Sequence, residues 1–232
     1  MHYKFNNQKV LSFSILPLID KFDLNYLKTL KHIGLTNIHY DVMDEFTNTR
    51  GFDTSHLDSL HALGFKVNVH FMVSNISSKL VEFIEYPFLG ICFHVEALKN
   101  INDGLEYIKF IKNHNKRAGI AFKFDTDFSK YLDLIKMVDY ITLMSVVPGK
   151  GGQIYNSIVE KNVKTLEKLC LVNNIDFPEI EFDGGITNVE IQKLWANGNI
   201  FVSGSWFNNL NLEEKKKIIN LVSSNNFWNP FN

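Results

Sequence analysis

The sequence has few of the residues that mark a disulfide-stapled, secreted or membrane-spanning protein. Its 232 residues include only two cysteines, Cys92 and Cys170. Two isolated cysteines form neither a disulfide framework nor a metal-binding motif, and they suit a reducing compartment. No apolar run approaches the roughly 18 residues that a membrane span needs. The first nine residues are polar and lack the apolar segment of a signal peptide. We therefore expect a cytoplasmic protein with no membrane partner.

An excess of charge is also missing. The 24 Lys and Arg residues balance 25 Asp and Glu residues, which gives a formal net charge of −1. Proteins that bind nucleic acids usually carry a basic excess or stripe, so we expect no nucleic-acid partner. Hydrophobic residues make up 45% of the chain, and a chain of this length can bury a large core without disulfides.

Glycine is absent between Leu11 and Asp20, where a dinucleotide-binding open sheet would carry its glycine-rich turn. The chain instead repeats one pattern, in which short apolar runs alternate with stretches of helical periodicity. The runs predict strands at residues 10–16, 37–42, 66–72, 90–95, 118–122, 140–145, 179–182 and 200–203. The intervening stretches predict helices at 24–33, 55–63, 77–84, 105–113, 129–135, 160–171, 189–197 and 212–223. Eight such units without a linker predict an α/β fold, a single-domain (β/α)8 TIM barrel over residues 1–232, with an open doubly wound sheet as the alternative.

Side chains that can bind metals stand at the ends of three predicted strands. His39 and Asp41 share one face of the second strand, His70 lies on the third, and Asp183 ends the seventh. Functional residues of such barrels gather at the carboxyl ends of the strands, so these four side chains can converge. Two imidazoles and two carboxylates suit Zn²⁺ or a similar divalent cation. His94 on the fourth strand is a rival ligand or a residue that contacts one, and a hydrogen-bonded core role is the alternative for any single histidine.

Glycine-rich loops follow the last three predicted strands, at residues 148–153, 184–185 and 204–205. Glycines allow backbone N–H groups to approach an anion, and barrel enzymes often hold a phosphate in the loops after strands seven and eight. Lys150 adds a positive charge to such a site or is a solvated loop lysine. Three methionines, Met43, Met72 and Met144, end strands with inward parity, although ordinary core packing also explains them.

Seven motifs, found in order between about residues 11 and 207, resemble the ribulose-phosphate 3-epimerase family. They are SFSIL at 12–16, IHYDVMD at 38–44, VHFMV at 69–73, FHVEA at 93–97, MSVVPGKGGQ at 144–153, FDGGI at 182–186 and VSGSWF at 202–207. The resemblance implies a (β/α)8 barrel that interconverts D-ribulose 5-phosphate and D-xylulose 5-phosphate in the pentose phosphate pathway. It also implies a homo-oligomer, since family members form dimers or hexamers.

The resemblance assigns roles to individual residues. One divalent metal ion, Zn²⁺ first and Fe²⁺, Mn²⁺ or Co²⁺ as alternatives, would be held by His39, Asp41, His70 and Asp183. Asp41 and Asp183 would be the acid/base pair that moves the C3 proton, while the metal stabilises the resulting negative charge. The substrate-binding positions would be Ser14, His70, Met43, Met72, Met144, Gly149, Gly151, Gly185, Gly204 and Ser205.

Three single residues and two segments, 46–50 and 124–126, depart from the family pattern, and we expect these changes to shape the pocket. Phe13, Glu45 and Lys150 stand where proline, glycine and an aromatic residue are usual. They leave open a related 3-epimerase of a six-carbon ketose phosphate, such as D-allulose 6-phosphate. A decarboxylase- or synthase-type barrel would carry an acidic–lysine motif after the third strand, and this chain has no lysine there until Lys79. A catalytically inactive sugar-phosphate-binding barrel would have lost a ligand or an acid/base residue, and none is lost.

Overall fold

The computed structural model describes residues 9–225, in which eight parallel strands form a closed barrel in the order of the sequence. The strands are β1 (Val10–Ser14), β2 (Asn37–Met43), β3 (Lys66–Met72), β4 (Gly90–His94), β5 (Arg117–Phe122), β6 (Tyr140–Met144), β7 (Glu179–Asp183) and β8 (Ile200–Ser203). The predicted single-domain (β/α)8 TIM barrel is confirmed, and the open sheet is excluded because β1 pairs with β8. The predicted domain bounds also include residues 1–8 and 226–232, which lie outside the described range.

Nine α-helices surround the barrel within residues 9–225. They are α1 (Leu24–His32), α2 (Leu57–Ala62), α3 (Ile76–Phe83), α4 (Ile101–Asn113), α5 (Leu132–Ile135), α6 (Ile158–Val172), α7 (Asn188–Leu194), α8 (Ser205–Asn209) and α9 (Leu212–Ser223). In this part of the chain, no helix combines the length and the apolar character that crossing a membrane would require. The short helix α8 was not predicted, because five residues are too few to show a helical period.

Most predicted elements differ from the structure by one or more residues at an end, and two of the larger differences have identifiable reasons. The first strand ends at Ser14, because a 3-10 helix at Leu16–Leu18 begins around a proline that cannot continue the strand hydrogen bonds. The fourth helix begins at Ile101 rather than after Gly104. The side chain of Asn100 caps it by accepting a hydrogen bond from the Asp103 N–H. A Cβ atom at Gly104 would lie 2.9 Å from Leu98, so this glycine serves close packing within the helix.

Most strands present an apolar face to the helices and a partly polar face to the barrel interior. On β2, Ile38, Tyr40 and Val42 belong to the apolar core, whereas the alternating residues His39 and Asp41 are buried polar groups. The same alternation buries a further set of polar side chains in the interior on other strands: Ser12, Asn68, His70, His94, Thr142 and Glu181. The barrel interior is therefore a buried polar compartment that can hold chemically active groups.

The strand register places the predicted site residues at the same height along the barrel axis. Asp41 pairs with His70 across β2 and β3, and Met144 pairs with Asp183 across β6 and β7. Below that level Tyr140 fills the interior, and a Cβ atom at Gly119 on β5 would lie 2.4 Å from its ring. The interior is thus closed beneath the site, and the side chains at the carboxyl ends of the strands face the open mouth.

Candidate metal centre and substrate cleft

Four predicted residues, His39, Asp41, His70 and Asp183, come together at the carboxyl ends of β2, β3 and β7. One ligand-type atom from each lies within 4.8 Å of the other three. His39 and His70 are buried, Asp41 is 3% exposed, and the side chain of Asp183 is 14% exposed. The group is therefore accessible mainly past the two carboxylates, while the imidazoles form its floor.

The distances between these atoms match the edges of a tetrahedron. His39 Nε2 lies 3.1 Å from His70 Nδ1, 3.3 Å from Asp41 Oδ1 and 3.5 Å from Asp183 Oδ2. His70 Nδ1 lies 3.7 Å from the same Asp41 oxygen and 3.5 Å from the same Asp183 oxygen. Four ligands at zinc-binding distances around one tetrahedral centre would be separated by about 3.4 Å. All five of these separations are close to this value, and the ligand atoms all lie within 4.8 Å of one another, so the four residues fit a divalent cation.

The charges within this group interact strongly. Burial lowers the pKa of His39, but Asp41 and Asp183 outweigh this effect and raise it to about 10. Burial raises the pKa of Asp41, but the charge and hydrogen bond of His39 reverse this effect and hold that pKa well below its usual range. Burial likewise lowers the pKa of His70, and hydrogen bonds to both aspartates leave it raised overall. The carboxylates thus attract positive charge, whether from protons or from a metal ion.

Two further carboxylates lie behind the histidines. Glu181 is fully buried, and its Oε1 accepts a hydrogen bond of 2.8 Å from the Thr142 hydroxyl and lies 3.7 Å from His39 Nδ1. Burial raises the pKa of Glu181. His70 Nε2 lies 3.1 Å from His94 Nε2, and His94 Nδ1 lies 3.0 Å from Glu96 Oε2. Burial lowers the pKa of His94 to about 4, so its ring is neutral. His94 contacts a member of the four-residue group and is not one of its members.

A cleft of about 760 Å³ opens above these residues. Its lining includes nearly all of the predicted substrate-binding positions: Ser14, Met43, Met72, Met144, Gly149, Gly151, Gly185, Gly204 and Ser205. Asp41 and Asp183 also line it, whereas His39 and His70 lie beneath its floor. The three methionines form its apolar part near the two carboxylates. Met72 and Met144 are buried, and Met43 Sδ accepts a hydrogen bond of 3.2 Å from Thr49.

The glycine-rich loops meet at the other end of the cleft. Gly185 has a φ of +63°, and a Cβ atom there would lie 2.6 Å from the backbone nitrogen of Tyr155, so the close approach of these loops requires glycine. A Cβ atom at Gly151 would lie 3.2 Å from Ser205 Oγ. The loop after β6 is therefore in contact with the loops after β7 and β8. These loops bring several small residues and the start of α8 to one end of the cleft.

Comparison with known proteins agrees with this arrangement. The profile described as "Ribulose-phosphate 3 epimerase family" matches residues 10–208. The chain belongs to the ribulose-phosphate 3-epimerase family. It is 38% identical over 211 residues to the ribulose-phosphate 3-epimerase of Mycoplasma genitalium, covering 90% of this chain and 97% of that protein. It is 39% identical over 210 residues to the enzyme of Mycoplasma pneumoniae, covering 90% of this chain and 94% of that protein.

Solved structures of tryptophan synthase also share this fold. The tryptophan synthase of Mycobacterium tuberculosis aligns with a TM-score of 0.65 at 9% identity, covering 97% of this chain and 95% of that one. A mutant tryptophan synthase alpha-subunit from Pyrococcus furiosus aligns with a TM-score of 0.57 at 10% identity, covering 93% and 97% of the two chains. At such identities the likeness concerns the barrel fold alone.

The three single-residue departures from the epimerase pattern have different surroundings. The prediction that all three shape the pocket is wrong for Phe13, whose buried ring packs 5.3 Å from that of Phe207, on the outer side of β1. Glu45 lies at the rim, where Oε1 accepts a hydrogen bond of 2.8 Å from the Ser74 hydroxyl. Of the three, only Lys150 lines the cleft.

Sequence reasoning gave no role to several residues that the structure brings to the site. Glu181 shares a strand face with Asp183, so its inward direction could be read from the sequence, but not its contact with His39. Glu96 follows His94 by two residues and lies in the FHVEA motif, but neither observation gave it a role. Trp206 and Lys193 line the cleft from α8 and α7. Trp206 lies in the VSGSWF motif, which gave it no role of its own, and no sequence pattern indicated Lys193.

Proposed function

We propose that the protein interconverts D-ribulose 5-phosphate and D-xylulose 5-phosphate by moving the proton at C3. The observation that carries this proposal is the pairing of Asp41 and Asp183. Both carboxylates line one cleft, from different strands, and both have an oxygen within 4 Å of His39 Nε2. The curated relatives from the two mycoplasmas carry the name of this activity, which favours the five-carbon substrate over the six-carbon alternative.

Inversion at C3 needs one group that removes a proton and another that returns a proton to the opposite face. Asp41 and Asp183 perform these two roles, and the roles exchange when the reaction runs backwards. One carboxyl group must start ionised and the other protonated. The strongly lowered pKa of Asp41 supports an ionised starting state for that residue. The apolar methionine side chains exclude water and neither donate nor accept a competing proton.

A divalent cation fits the group formed by His39, Asp41, His70 and Asp183. The near-tetrahedral separations and the two neutral-capable imidazoles favour Zn²⁺, and Fe²⁺, Mn²⁺ and Co²⁺ can use the same donor set. When bound, such an ion supplies Lewis-acid stabilisation of the negative charge that develops on the substrate oxygens. The protein contributes the fixed geometry of the four donors and a buried, closed floor beneath them.

The phosphate of the substrate would bind at the glycine-rich end of the cleft. Gly149 and Gly151 from the loop after β6, Gly185 from the loop after β7, and Gly204 and Ser205 at α8 supply this end. Glycine has no side chain and serine has a small one, so the backbone N–H groups of these loops can be approached by an anion. Ser14 and the three methionines would then contact the carbon chain. Such a grip on a part of the substrate that does not react can hold C3 in place between the two carboxylates.

The test is incubation of purified, metal-analysed protein with D-ribulose 5-phosphate in D₂O, followed by NMR at C3. We expect D-xylulose 5-phosphate with deuterium at C3, and loss of this reaction after chelation and dialysis. D-Allulose 6-phosphate in a parallel sample tests the six-carbon alternative. Turnover of the hexulose alone would move the assignment to that substrate. Absence of turnover and exchange on both sugars, in protein that retains its metal, would refute the epimerase proposal.

Two further parts of the proposal concern the location and the assembly of the protein. We infer a cytoplasmic location, which the free, buried thiols of Cys92 and Cys170 support. We also infer a homo-oligomer, either a dimer or a hexamer, since family members assemble in these ways. Light scattering coupled to size exclusion measures the assembled mass, and a monomer would contradict the second inference.

A further inference from the structure

The side chains behind His70 form a continuous chain of hydrogen-bonding groups. His70 Nε2 and His94 Nε2 are 3.1 Å apart, and their ring planes differ by only 20° with centroids 5.1 Å apart. The two rings therefore meet edge to edge, with one nitrogen aimed at the other. On its far side, His94 Nδ1 lies 3.0 Å from Glu96 Oε2. Both histidines are fully buried, so no water competes for these nitrogens.

If His70 binds a metal ion, only one placement of the ring protons on His70 and His94 satisfies all of these hydrogen bonds. His70 faces the two aspartates with Nδ1, so this nitrogen must keep its lone pair and the ring proton must lie on Nε2. The Nε2–H then donates to His94 Nε2, which must accept. The proton of the neutral His94 ring is consequently on Nδ1, where it donates to the Glu96 carboxylate.

Glu96 is itself held in one orientation. Its Oε1 accepts a hydrogen bond of 2.9 Å from the Lys123 backbone N–H and another from the Thr126 hydroxyl. Its Oε2 is thereby directed at His94. An ionised carboxylate can only accept hydrogen bonds, so it imposes the donor direction on His94. This control of the His94 proton position does not depend on a charge on either histidine. It requires only a hydrogen-bond acceptor at Oε2.

We propose that Glu96 and His94 are positioning residues that fix the tautomer of His70 and so expose its Nδ1 lone pair to the metal ion. This inference rests on the proposed metal centre and adds residues that bind neither metal nor substrate. Residues that orient a ligand histidine in this way commonly change metal affinity by about 10- to 100-fold when they are replaced.

The variant Glu96→Gln reverses the direction of hydrogen-bond donation from His70 through His94 to residue 96, and it hardly changes the shape of the side chain. The Lys123 N–H keeps the amide oxygen at the position of Oε1, so the amide NH₂ faces His94 Nδ1. His94 Nδ1 must then accept, its proton moves to Nε2, and the proton of His70 is forced onto Nδ1. The matched control is Thr126→Val, which removes a hydrogen bond to the same carboxylate but leaves an acceptor facing His94.

The experiment measures Zn²⁺ affinity of the metal-free proteins by competition with a chromophoric chelator. We expect Glu96→Gln to bind about 10- to 100-fold more weakly than the wild type, and Thr126→Val to stay within about threefold. Equal affinities of wild type and Glu96→Gln would refute the inference and leave the proposed function intact. Failure of the wild type to bind any metal would refute the metal centre itself, and this inference with it.

A second measurement needs no variant. Nitrogen-15 NMR of the Zn²⁺-loaded wild type distinguishes protonated from unprotonated ring nitrogens. We expect His94 to carry its proton on Nδ1 and His70 to carry its proton on Nε2. A proton on His94 Nε2 would overturn the inference even if the Glu96→Gln variant failed to fold. A purely structural role for Glu96 would change thermal stability without changing either tautomer.

Discussion

Ser14 donates its hydroxyl to Asp41 Oδ2 at 2.7 Å, across the contact between β1 and β2. The other oxygen of Asp41 faces His39 and His70. Ser14 therefore fixes the plane of the carboxylate and directs Oδ1 at the proposed metal site. The family resemblance assigned Ser14 only to substrate contact, and its bond to Asp41 gives it a positioning role in addition.

Replacement of Ser14 by alanine should lower kcat by about 10-fold or more. A hydrogen bond to an ionised carboxylate contributes about 1.5–3 kcal/mol, and its loss leaves Asp41 less well oriented. Steady-state kinetics measures the change. The matched control is Ser12→Ala on the same strand face, because Ser12 is also buried and its Oγ has no hydrogen-bond partner among the described residues. Equal kcat values for the two variants would remove the positioning role of Ser14.

Asp41→Asn and Asp183→Asn should each reduce epimerisation by at least about 100-fold while the barrel stays folded. An amide cannot accept the C3 proton at neutral pH, and each aspartate comes from a different strand of the same cleft. Circular dichroism checks the fold, metal analysis checks the ion, and deuterium exchange at C3 reports proton transfer separately from turnover. Near-wild-type turnover in either folded variant would contradict the two-carboxylate mechanism.

Metal binding should release protons, and metal affinity should rise with pH. In the metal-free protein the pKa of His39 is raised to about 10, so at pH 7 this ring is protonated and must lose its proton to bind metal. Between pH 6 and pH 9 the logarithm of the affinity should rise by about one per pH unit for His39, with a further contribution from His70. Calorimetry in buffers with different ionisation enthalpies counts the protons. An affinity independent of pH would contradict these protonation states.

The same charges predict the pH dependence of stability for the metal-free protein. The folded-state pKa of His39 lies above its unfolded value of 6.5, so its contribution is complete below pH 6.5 and is lost as pH rises through about 10. The folded-state pKa of Asp41 lies below its unfolded value of 3.8, so its contribution is present above that pH and is lost on acidification. Urea unfolding of metal-free protein should therefore show greater stability at pH 6 than at pH 9.5. His39→Gln should show a weaker decline over this interval, and an undiminished decline would point to other groups.

The sequence was sufficient to predict the barrel and the convergence of four ligand-type residues, because strand periodicity fixes which side chains point inward. His39, Asp41, His70 and Asp183 all stand near strand ends with inward parity. The same alternation applies to Phe13. Because its neighbour Ser14 points inward, Phe13 is expected to point outward, as the structure shows. Contacts between strands are different. The Ser14–Asp41 and His70–His94 hydrogen bonds depend on strand stagger and side-chain rotamers, which periodicity does not specify.

Ser205→Glu should raise KM for the sugar phosphate by placing a negative charge at the glycine-rich end of the cleft. Ser205 Oγ would lie only 3.2 Å from a Cβ atom at Gly151, so a larger acidic side chain must enter the space proposed for the phosphate. Ser205→Ala serves as the control, since it removes the hydroxyl without adding charge and should have a much smaller effect. An unchanged KM in Ser205→Glu would remove this loop from the phosphate site.

Lys150 should contribute electrostatic attraction for the phosphate, because it is the one departure from the family pattern that lines the cleft. Its side chain is exposed, so its effect is screened by salt. We expect Lys150→Ala to raise KM by about 2- to 5-fold with little change in kcat, and to weaken the dependence of kcat/KM on ionic strength. Lys164→Ala is the matched control, because Lys164 is an exposed lysine on α6 that does not line the cleft. If both variants show the same salt dependence, Lys150 acts only through the net charge of the protein, and the phosphate is held by the backbone groups of the glycine-rich loops.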